Sequence, residues 1–385
     1  MVLSQCLRKR EYIMLEQKVK VLVIDDSVLV RKYATEVLSR INGIEVVGSA
    51  PNGKIGLQKI YLYRPDVVLL DIEMPEMDGI ELLKVIKKNR QKGSSPYVII
   101  FSSLVEEGAE VTFEALAHGA VDFIKKPEGK IADNIDYLLR EFEEKILGLY
   151  SSIREKWKKI VIPENRALEE REEPYRGIFQ GIENLDKVLS EKPIIPEIVV
   201  IGASTGGPVA LRRIFEDLEE IPVPMVIVQH MPAGFTLEFA KNLRNLYERR
   251  VEELCDGDVL ENGTAYICPG GFHSRIERNE EKLVFRIDRE IYEDIFFKPS
   301  VDIFLSSVYQ TVGKNSLVVI LSGMGRDGTS QCFELRKEGA IIIAQDMKSS
   351  VVWGMPGSAV KRGGVDIIVN LEDIGRAINK IVKRV

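Results

Sequence analysis

Histidine is scarce in this chain. Three residues, His118, His230 and His273, serve 385 positions, so any imidazole-dependent chemistry has to use one of them. Cysteine is nearly as thin. Cys6, Cys255, Cys268 and Cys332 include no C-x-x-C pair, which argues against both a zinc site and a disulfide framework. No apolar run approaches the roughly 20 residues a membrane helix needs. The segment Cys6-Leu-Arg-Lys-Arg-Glu11 carries charge with no apolar stretch behind it, unlike a secretory signal. The expectation is a cytoplasmic protein without membrane insertion. A concentrated basic stripe is also missing: the net charge is −6 with acids and bases interleaved, so nucleic acid is not an expected partner.

What is present is a globular composition, 45% hydrophobic and 29% charged, at a length that suits two or three domains. From residue 18 to about 149, apolar strand candidates at 19–24, 44–48, 66–70, 97–101 and 121–124 alternate with helix-period segments such as 28–39 and 79–89. That alternation predicts a parallel, doubly wound sheet. A second β-α series begins near residue 197, with strand candidates at 198–201, 224–228, 264–268, 317–321 and 340–344, and one at 283–287 suited to an antiparallel hairpin. The fold class expected is therefore α/β with two doubly wound parallel-sheet domains. The boundaries read as an N-terminal extension 1–17, a first domain 18–142, a charged and partly helical linker 143–192, and a second domain 193–385. The linker contains Glu169-Glu-Arg-Glu-Glu-Pro174.

In a parallel sheet, ligands sit beyond the carboxyl ends of the strands. In the first domain those ends carry Asp25 and Asp26, Asp71, Ser102 and Ser103, and Lys126. Three carboxylates at one sheet edge repel, and a hard divalent ion such as Mg²⁺ held by oxygen ligands removes the conflict. The same set suits phosphoryl transfer, with Asp71 as nucleophile, Lys126 as a further cation and a serine hydroxyl as donor. Ser27 and Asp78 read instead as helix caps.

In the second domain, Ile198-Val-Val-Ile-Gly-Ala-Ser204-Thr-Gly-Gly-Pro208 reads as strand, tight turn and helix. The run Gly202-Ala-Ser-Thr-Gly206 fits the G-x-S-x-G nucleophile elbow. A Gly-rich turn of this kind also suits a nucleotide, as in short-chain dehydrogenases. None of the twelve tyrosines is followed by lysine four residues on, however, and the next strand ends in Gln229-His230 rather than in an acid. A serine needs a base to take its proton, and the base needs an orienting acid. His230 and Asp327 both follow predicted strands and fill those roles. His273, in Pro269-Gly-Gly-Phe-His273, is a rival base, but His230 is favoured and His273 reads as a residue on the substrate side or one that backs the catalytic groups. His118 reads as structural, and Cys268 and Cys332 as core. The chain order Ser…His…Asp differs from that of the common serine hydrolase folds.

These motifs carry two resemblances. The runs Val21-Leu-Val-Ile-Asp-Asp-Ser27, Leu69-Leu-Asp-Ile-Glu-Met-Pro75 with Asp78-Gly79, and Asp122-Phe-Ile-Lys-Lys-Pro127 resemble a two-component receiver domain. That resemblance implies a flavodoxin-like fold and phosphorylation of Asp71 by a histidine kinase. It implies Mg²⁺ held by Asp26, Asp71 and the Glu73 carbonyl, with Asp25 acting through water. Ser102, rather than Ser103, falls at the switch hydroxyl, where Thr is commoner, and Phe123 at the switch aromatic.

From about residue 194 the chain is similar to the catalytic domain of the chemotaxis protein-glutamate methylesterases. The matching runs are Ile201-Gly-Ala-Ser-Thr-Gly-Gly-Pro208, Gln229-His-Met-Pro232, Pro269-Gly-Gly-Phe-His273, Pro299-Ser-Val-Asp302, Ser322-Gly-Met-Gly-Arg-Asp-Gly328 and Val352-Trp-Gly-Met-Pro356. The resemblance implies a Rossmann-like esterase with Ser204 as nucleophile, His230 as base and Asp327 as orienting acid. The backbone N–H groups of Thr205 and Met324 would form the oxyanion hole, and the esterase would need no cofactor. Its substrates would be glutamate γ-methyl esters, and selected glutamines, on chemoreceptors. Ser322 departs from the Thr common before Gly-Met-Gly. Two other readings stay open: a receiver joined to a non-catalytic binding module, and a DNA-binding regulator, which the missing basic helix-turn-helix disfavours.

Overall fold

The computed structural model describes residues 18–89, 95–103, 106–127, 134–150, 177–290, 292, 295 and 297–383. The 1–17 extension with Cys6, and 151–176 at the centre of the expected linker, lie outside the described residues. The chain divides between residues 150 and 151 into two compact units.

The first unit runs β1 (Val19–Ile24), α1 (Val28–Ser39), β2 (Ile44–Ala50), α2 (Gly53–Tyr63), β3 (Val67–Leu70), α3 (Gly79–Asn89), β4 (Tyr97–Ser103), α4 (Glu106–Ala117), β5 (Asp122–Lys126) and α5 (Ile135–Phe142). Its five strands are ordered β2-β1-β3-β4-β5, all parallel, which is the flavodoxin-like order. The β3 sequence Val-Val-Leu-Leu is wholly buried, as expected of a strand covered on both faces. The order reverses between β1 and β3, so their carboxyl ends frame the crevice. Ser27 caps α1, accepting the Val30 N–H. Asp78 accepts the Glu81 N–H at 2.7 Å, ahead of α3.

The second unit runs β6 (Phe179–Gln180), α6 (Leu185–Glu191), β7 (Ile198–Ala203), α7 (Gly207–Asp217), β8 (Met225–Gln229), α8 (Phe235–Tyr247), β9 (Val251–Glu253), β10 (Ala265–Ile267), β11 (His273–Asn279), β12 (Lys282–Asp288), α9 (Val301–Thr311), β13 (Ser316–Ile320), α10 (Thr329–Glu338), β14 (Ile341–Gln345), α11 (Met355–Lys361), β15 (Ile367–Val369) and α12 (Leu371–Val382). Eight strands form one sheet in the order β6-β15-β14-β13-β7-β8-β10-β9, parallel throughout. The chain runs outward from β7 through β8, then returns to lay β13 on the other side of β7. The crevice at that reversal is bounded by the loops after β7, β8 and β13. β11 and β12 form a separate antiparallel hairpin. The hairpin buries Ile276, Leu283 and Phe285 into the same core as Val301, Phe304 and Val308 of α9. Cys268 and Cys332 are fully buried in that core.

The structure shortens the expected linker 143–192 from both ends. The apolar positions Leu138, Phe142, Ile146 and Leu149 are all buried, so their spacing carries the helical rod of the first unit past residue 142, through a π-helical turn at Glu143–Leu147. At the other end β6 pairs with β15, and Leu185, Val188 and Leu189 of α6 are buried. The many charges between those apolar residues disguise their periodicity in the sequence.

Candidate functional site

In the first unit the reversal between β1 and β3 brings Asp25, Asp26 and Asp71 together, with ligand oxygens within 4.8 Å of one another. Asp25 and Asp71 are buried, while Asp26 is exposed. Lys126, at the end of β5, bridges them, with Nζ 2.8 Å from Asp25 Oδ2 and 2.6 Å from Asp71 Oδ2. One ammonium does not neutralise three carboxylates. Burial pushes the Asp71 carboxyl up to about 6, against the pull of Lys126 and with Asp25 adding to the rise. Burial also opposes the charge on Lys126, but Asp71 and Asp25 outweigh it and hold the ammonium protonated. An all-oxygen donor set with surplus negative charge fits a hard divalent cation. Glu73 stands exposed just beyond β3. Ser102 closes β4 and donates to the Ser103 carbonyl at 3.3 Å. Phe123 is buried in β5, with Lys145 Nζ 5.3 Å from its ring centroid. His118 pairs loosely with Glu114, 3.5 Å away on α4.

In the second unit the strand β7 ends at Ala203 and the chain turns sharply at Ser204. Gly206 makes the turn possible. It has φ +81°, and a Cβ there would meet Val351 and the Ser322 hydroxyl at 2.7 and 2.9 Å. Ser204 is 8% exposed. Gln229, fully inside at the end of β8, donates through Nε2 to the carbonyls of both Ser204 and His230 at 3.1 and 3.0 Å. One amide thus braces the serine turn against the histidine strand.

His230 Nε2 lies 2.8 Å from Asp327 Oδ2. A carboxylate accepts, so the Nε2 proton belongs to that bond and the bare basic nitrogen of neutral His230 is Nδ1. Nδ1 is buried with no hydrogen-bond partner. The ring is therefore turned over relative to triads in which the acid holds Nδ1. Phe297 stacks on the imidazole at 4.9 Å with the planes 13° apart.

Asp327 receives more than the histidine. Oδ2 accepts the Val301 N–H at 2.6 Å, and Oδ1 accepts Asp302 N–H at 2.9 Å, Gly328 N–H at 3.0 Å and the Ser300 hydroxyl at 3.0 Å. Ser300 is the N-cap of α9, so the carboxylate plugs a helix N-terminus. Burial raises the cost of its charge, but His230 and the Asp302 and Val301 N–H groups more than offset it and hold its pKa below the usual carboxylate range.

The loop after β13 faces the serine closely. A Cβ on Gly323 would meet Ser204 Cβ at 2.9 Å and Met355 Sδ at 2.3 Å. Ser322 ties this loop to the serine turn: its hydroxyl donates to the Thr205 carbonyl at 2.7 Å and accepts the Val352 N–H at 3.0 Å. Among the described residues neither the Thr205 nor the Met324 N–H has a hydrogen-bond partner. Serine, histidine and acid therefore collect at the sheet reversal with two vacant backbone donors. His273 lines a cavity with Phe272, Asp288 and Lys298. It is 1% exposed at the start of β11.

Sequence reasoning missed Gln229, Phe297 and Ser300. The strand-end position of Gln229 was visible, but its double brace needs the β7-β8 pairing. Phe297 and Ser300 lie before a helix whose N-terminus meets Asp327 only in three dimensions.

Residues 199–378 match the family described as CheB methylesterase, and residues 21–135 match that described as response regulator receiver domain. A relative from Sulfurimonas denitrificans is 38% identical over 358 residues, covering 92% of this chain and 96% of its own length, and is named protein-glutamate methylesterase/protein-glutamine glutaminase. One from Pyrococcus horikoshii with the same name is 37% identical over 372 residues, covering 95% and 94%. Among solved structures, the Thermotoga maritima CheB methylesterase catalytic domain is 36% identical and covers 50% of this chain and 100% of that one, at a TM-score of 0.47.

Proposed function

The chain belongs to the family of protein-glutamate methylesterases/protein-glutamine glutaminases that carry a receiver domain, and from that membership we propose that Ser204, His230 and Asp327 perform its hydrolysis. The observation that carries the assignment is the His230–Asp327 pair at 2.8 Å, set at the same sheet reversal as Ser204. Ser204 Oγ attacks the ester carbonyl carbon of a glutamate γ-methyl ester on a chemoreceptor, and its proton passes to His230 Nδ1. The N–H groups of Thr205 and Met324 receive the tetrahedral oxyanion. On collapse the C–O bond to the methoxy group breaks, and the His230 proton leaves with it as methanol. Water then gives a proton to His230 and attacks the glutamyl-serine ester, releasing glutamate and restoring Ser204. An amide in place of the ester follows the same route with ammonia as leaving group, which accounts for glutamine deamidation.

Ser204 Oγ and His230 Nδ1 make no hydrogen bond in the free enzyme. Such bonds commonly tighten only with substrate in place. Asp327 fixes the tautomer and stabilises the imidazolium, and its gripped carboxylate stays ionised while it does so.

Asp71 is assigned as the phosphoacceptor, with a histidine kinase as donor. Asp26, Asp71 and the Glu73 carbonyl would hold Mg²⁺, with Asp25 in support, and a bound ion would neutralise charge on the incoming phosphoryl group. Lys126 contacts both carboxylates and stands ready to meet the phosphoryl oxygens. Ser102 and Phe123 are assigned to the switch that reports phosphorylation. Among the described residues no helix is long and apolar enough to cross a membrane. We place the protein in the cytoplasm, acting on receptor segments there.

A fluorophosphonate probe tests the esterase assignment directly. Mass spectrometry of the labelled full-length chain is expected to find the probe on Ser204. A chain that takes no label while folded, or takes it at another residue, would be a binding module or a different enzyme.

A further inference from the structure

Asp327 is gripped from one side by His230 and from the other by the start of α9. The grip is only as good as the placement of Ser300. That residue's hydroxyl accepts the Ile303 N–H at 3.3 Å, as an N-cap does, and donates to Asp327 Oδ1 at 3.0 Å. Its own backbone N–H points away from both, and donates to His273 Nδ1 at 3.2 Å. We propose that His273 is a positioning residue of the esterase, holding the N-cap of α9 so that its first N–H groups close on Asp327. This inference rests on Asp327 being the acid of the triad.

The side chain is suited to the task. His273 begins β11 and is 1% exposed, so no water competes for its acceptor. Accepting at Nδ1 puts the proton of the neutral ring on Nε2, which is buried without a hydrogen-bond partner. Tyr292 meets the ring edge-on, with centroids 5.2 Å apart at 84°. Protonation would place a hydrogen on Nδ1 facing the Ser300 N–H, and the bond would be lost. The surroundings oppose that. Burial disfavours the charged ring most, and Lys298 and His230 add to it, against the weaker pull of Asp288 and Asp327, so the pKa lies below the ordinary value. The sign of the linkage follows. Between the folded value and the ordinary value of about 6.5 the unfolded chain binds the extra proton, so the stability this contact gives falls as pH drops through that window.

A side chain that merely fills space would be replaced by one of similar bulk. A positioning acceptor is replaced only by an atom in the same place. Asparagine carries its amide oxygen near the position of Nδ1, whereas glutamine carries its own nearer Nε2. Full-length His273→Asn, His273→Gln and His273→Leu are compared for methanol release from methylated chemoreceptor between pH 5 and 9. His273→Leu and His273→Gln are expected to lose about ten- to hundred-fold in kcat with KM little changed, the scale of a small misplacement of a catalytic group. His273→Asn should stay within about three-fold of the parent. At its acid end the parent's kcat should fall more steeply than that of His273→Asn, which lacks the proton His273 takes up. Equal kcat and equal acid limbs in all four proteins would overturn the proposal, as would Asn failing as badly as Gln. If His273→Leu does not fold, the Asn–Gln comparison decides alone. Ser204→Ala is run beside them: methanol release surviving in it would sink the triad, and a dead Ser204→Ala beside an unaltered His273→Gln would sink only the role of His273.

Discussion

Ser204→Ala is expected to lower kcat for methanol release by about 10⁵–10⁶-fold, the cost of removing the nucleophile from a working triad. Thermal stability should stay close to that of the parent. The substitution keeps Cβ, the atom that Gly323 backs onto, and leaves the serine backbone bonds to Ser322 and Gln229 in place. Residual hydrolysis would come from the vacant N–H groups of Thr205 and Met324 polarising the ester carbonyl toward water. A folded Ser204→Ala enzyme with kcat within ten-fold of the parent, roughly one part in five of the predicted free-energy effect, would mean that some other group attacks.

Asp327→Asn is expected to be nearly as damaging, at about 10⁴-fold in kcat, and unlike Ser204→Ala it should also destabilise the fold. Donors converge on both carboxylate oxygens: His230 and Val301 on Oδ2, and Ser300, Asp302 and Gly328 on Oδ1. An amide offers only one oxygen. If its nitrogen replaces Oδ2, it faces the His230 and Val301 donors and drives the imidazole to the wrong tautomer. If it replaces Oδ1, it faces the Asp302 N–H at the start of α9 and the Gly328 N–H ahead of α10. Either way buried donors lose their acceptor, at a cost of about 2–3 kcal/mol. A thermal melt beside the kinetics checks both parts. Wild-type kcat, or a wild-type melting temperature, would remove the α9 cradle from the account. The depressed pKa of Asp327 also fixes where acid acts. The stability it confers is present above the ordinary 3.8 and is lost only as pH falls through the lower folded value. Asp327 is therefore not the source of an acid limb near neutral pH.

The long buried strands were legible in the sequence because they are dense in Val, Ile and Leu: β1 and β7 start where that pattern starts. Of the strands of two or three residues only β10 was legible, and β6, β9 and β15 were not, since so short a run carries no period. The N-terminal cluster was fully legible as residues at strand ends, because a parallel sheet sends all of them to one edge. His230 and Asp327 were legible for the same reason. What holds them was not. The grip on Asp327 comes from residues 300–302, about two dozen positions earlier, and the His273–Ser300 bond links a hairpin to a helix cap. The order of the strands decides such contacts, and periodicity does not carry it. His273 was visible as a histidine in a Gly-rich turn after a strand, a context that suits a residue on the substrate side or one that backs the catalytic groups. Which of these it is depends on its bond to the Ser300 N–H, 3.2 Å away across the fold.

A receiver and a serine esterase in one chain lead us to propose that phosphorylation of Asp71 raises the rate at which Ser204 turns over. The most direct measurement is the initial rate of methanol release from methylated chemoreceptor by the full-length chain with Mg²⁺, with and without a small acyl phosphate donor, in the parent and in Asp71→Asn. The account predicts release in every case and a rise of about ten-fold with donor in the parent, absent in Asp71→Asn. No methanol at all, or a donor response that Asp71→Asn retains, would contradict it.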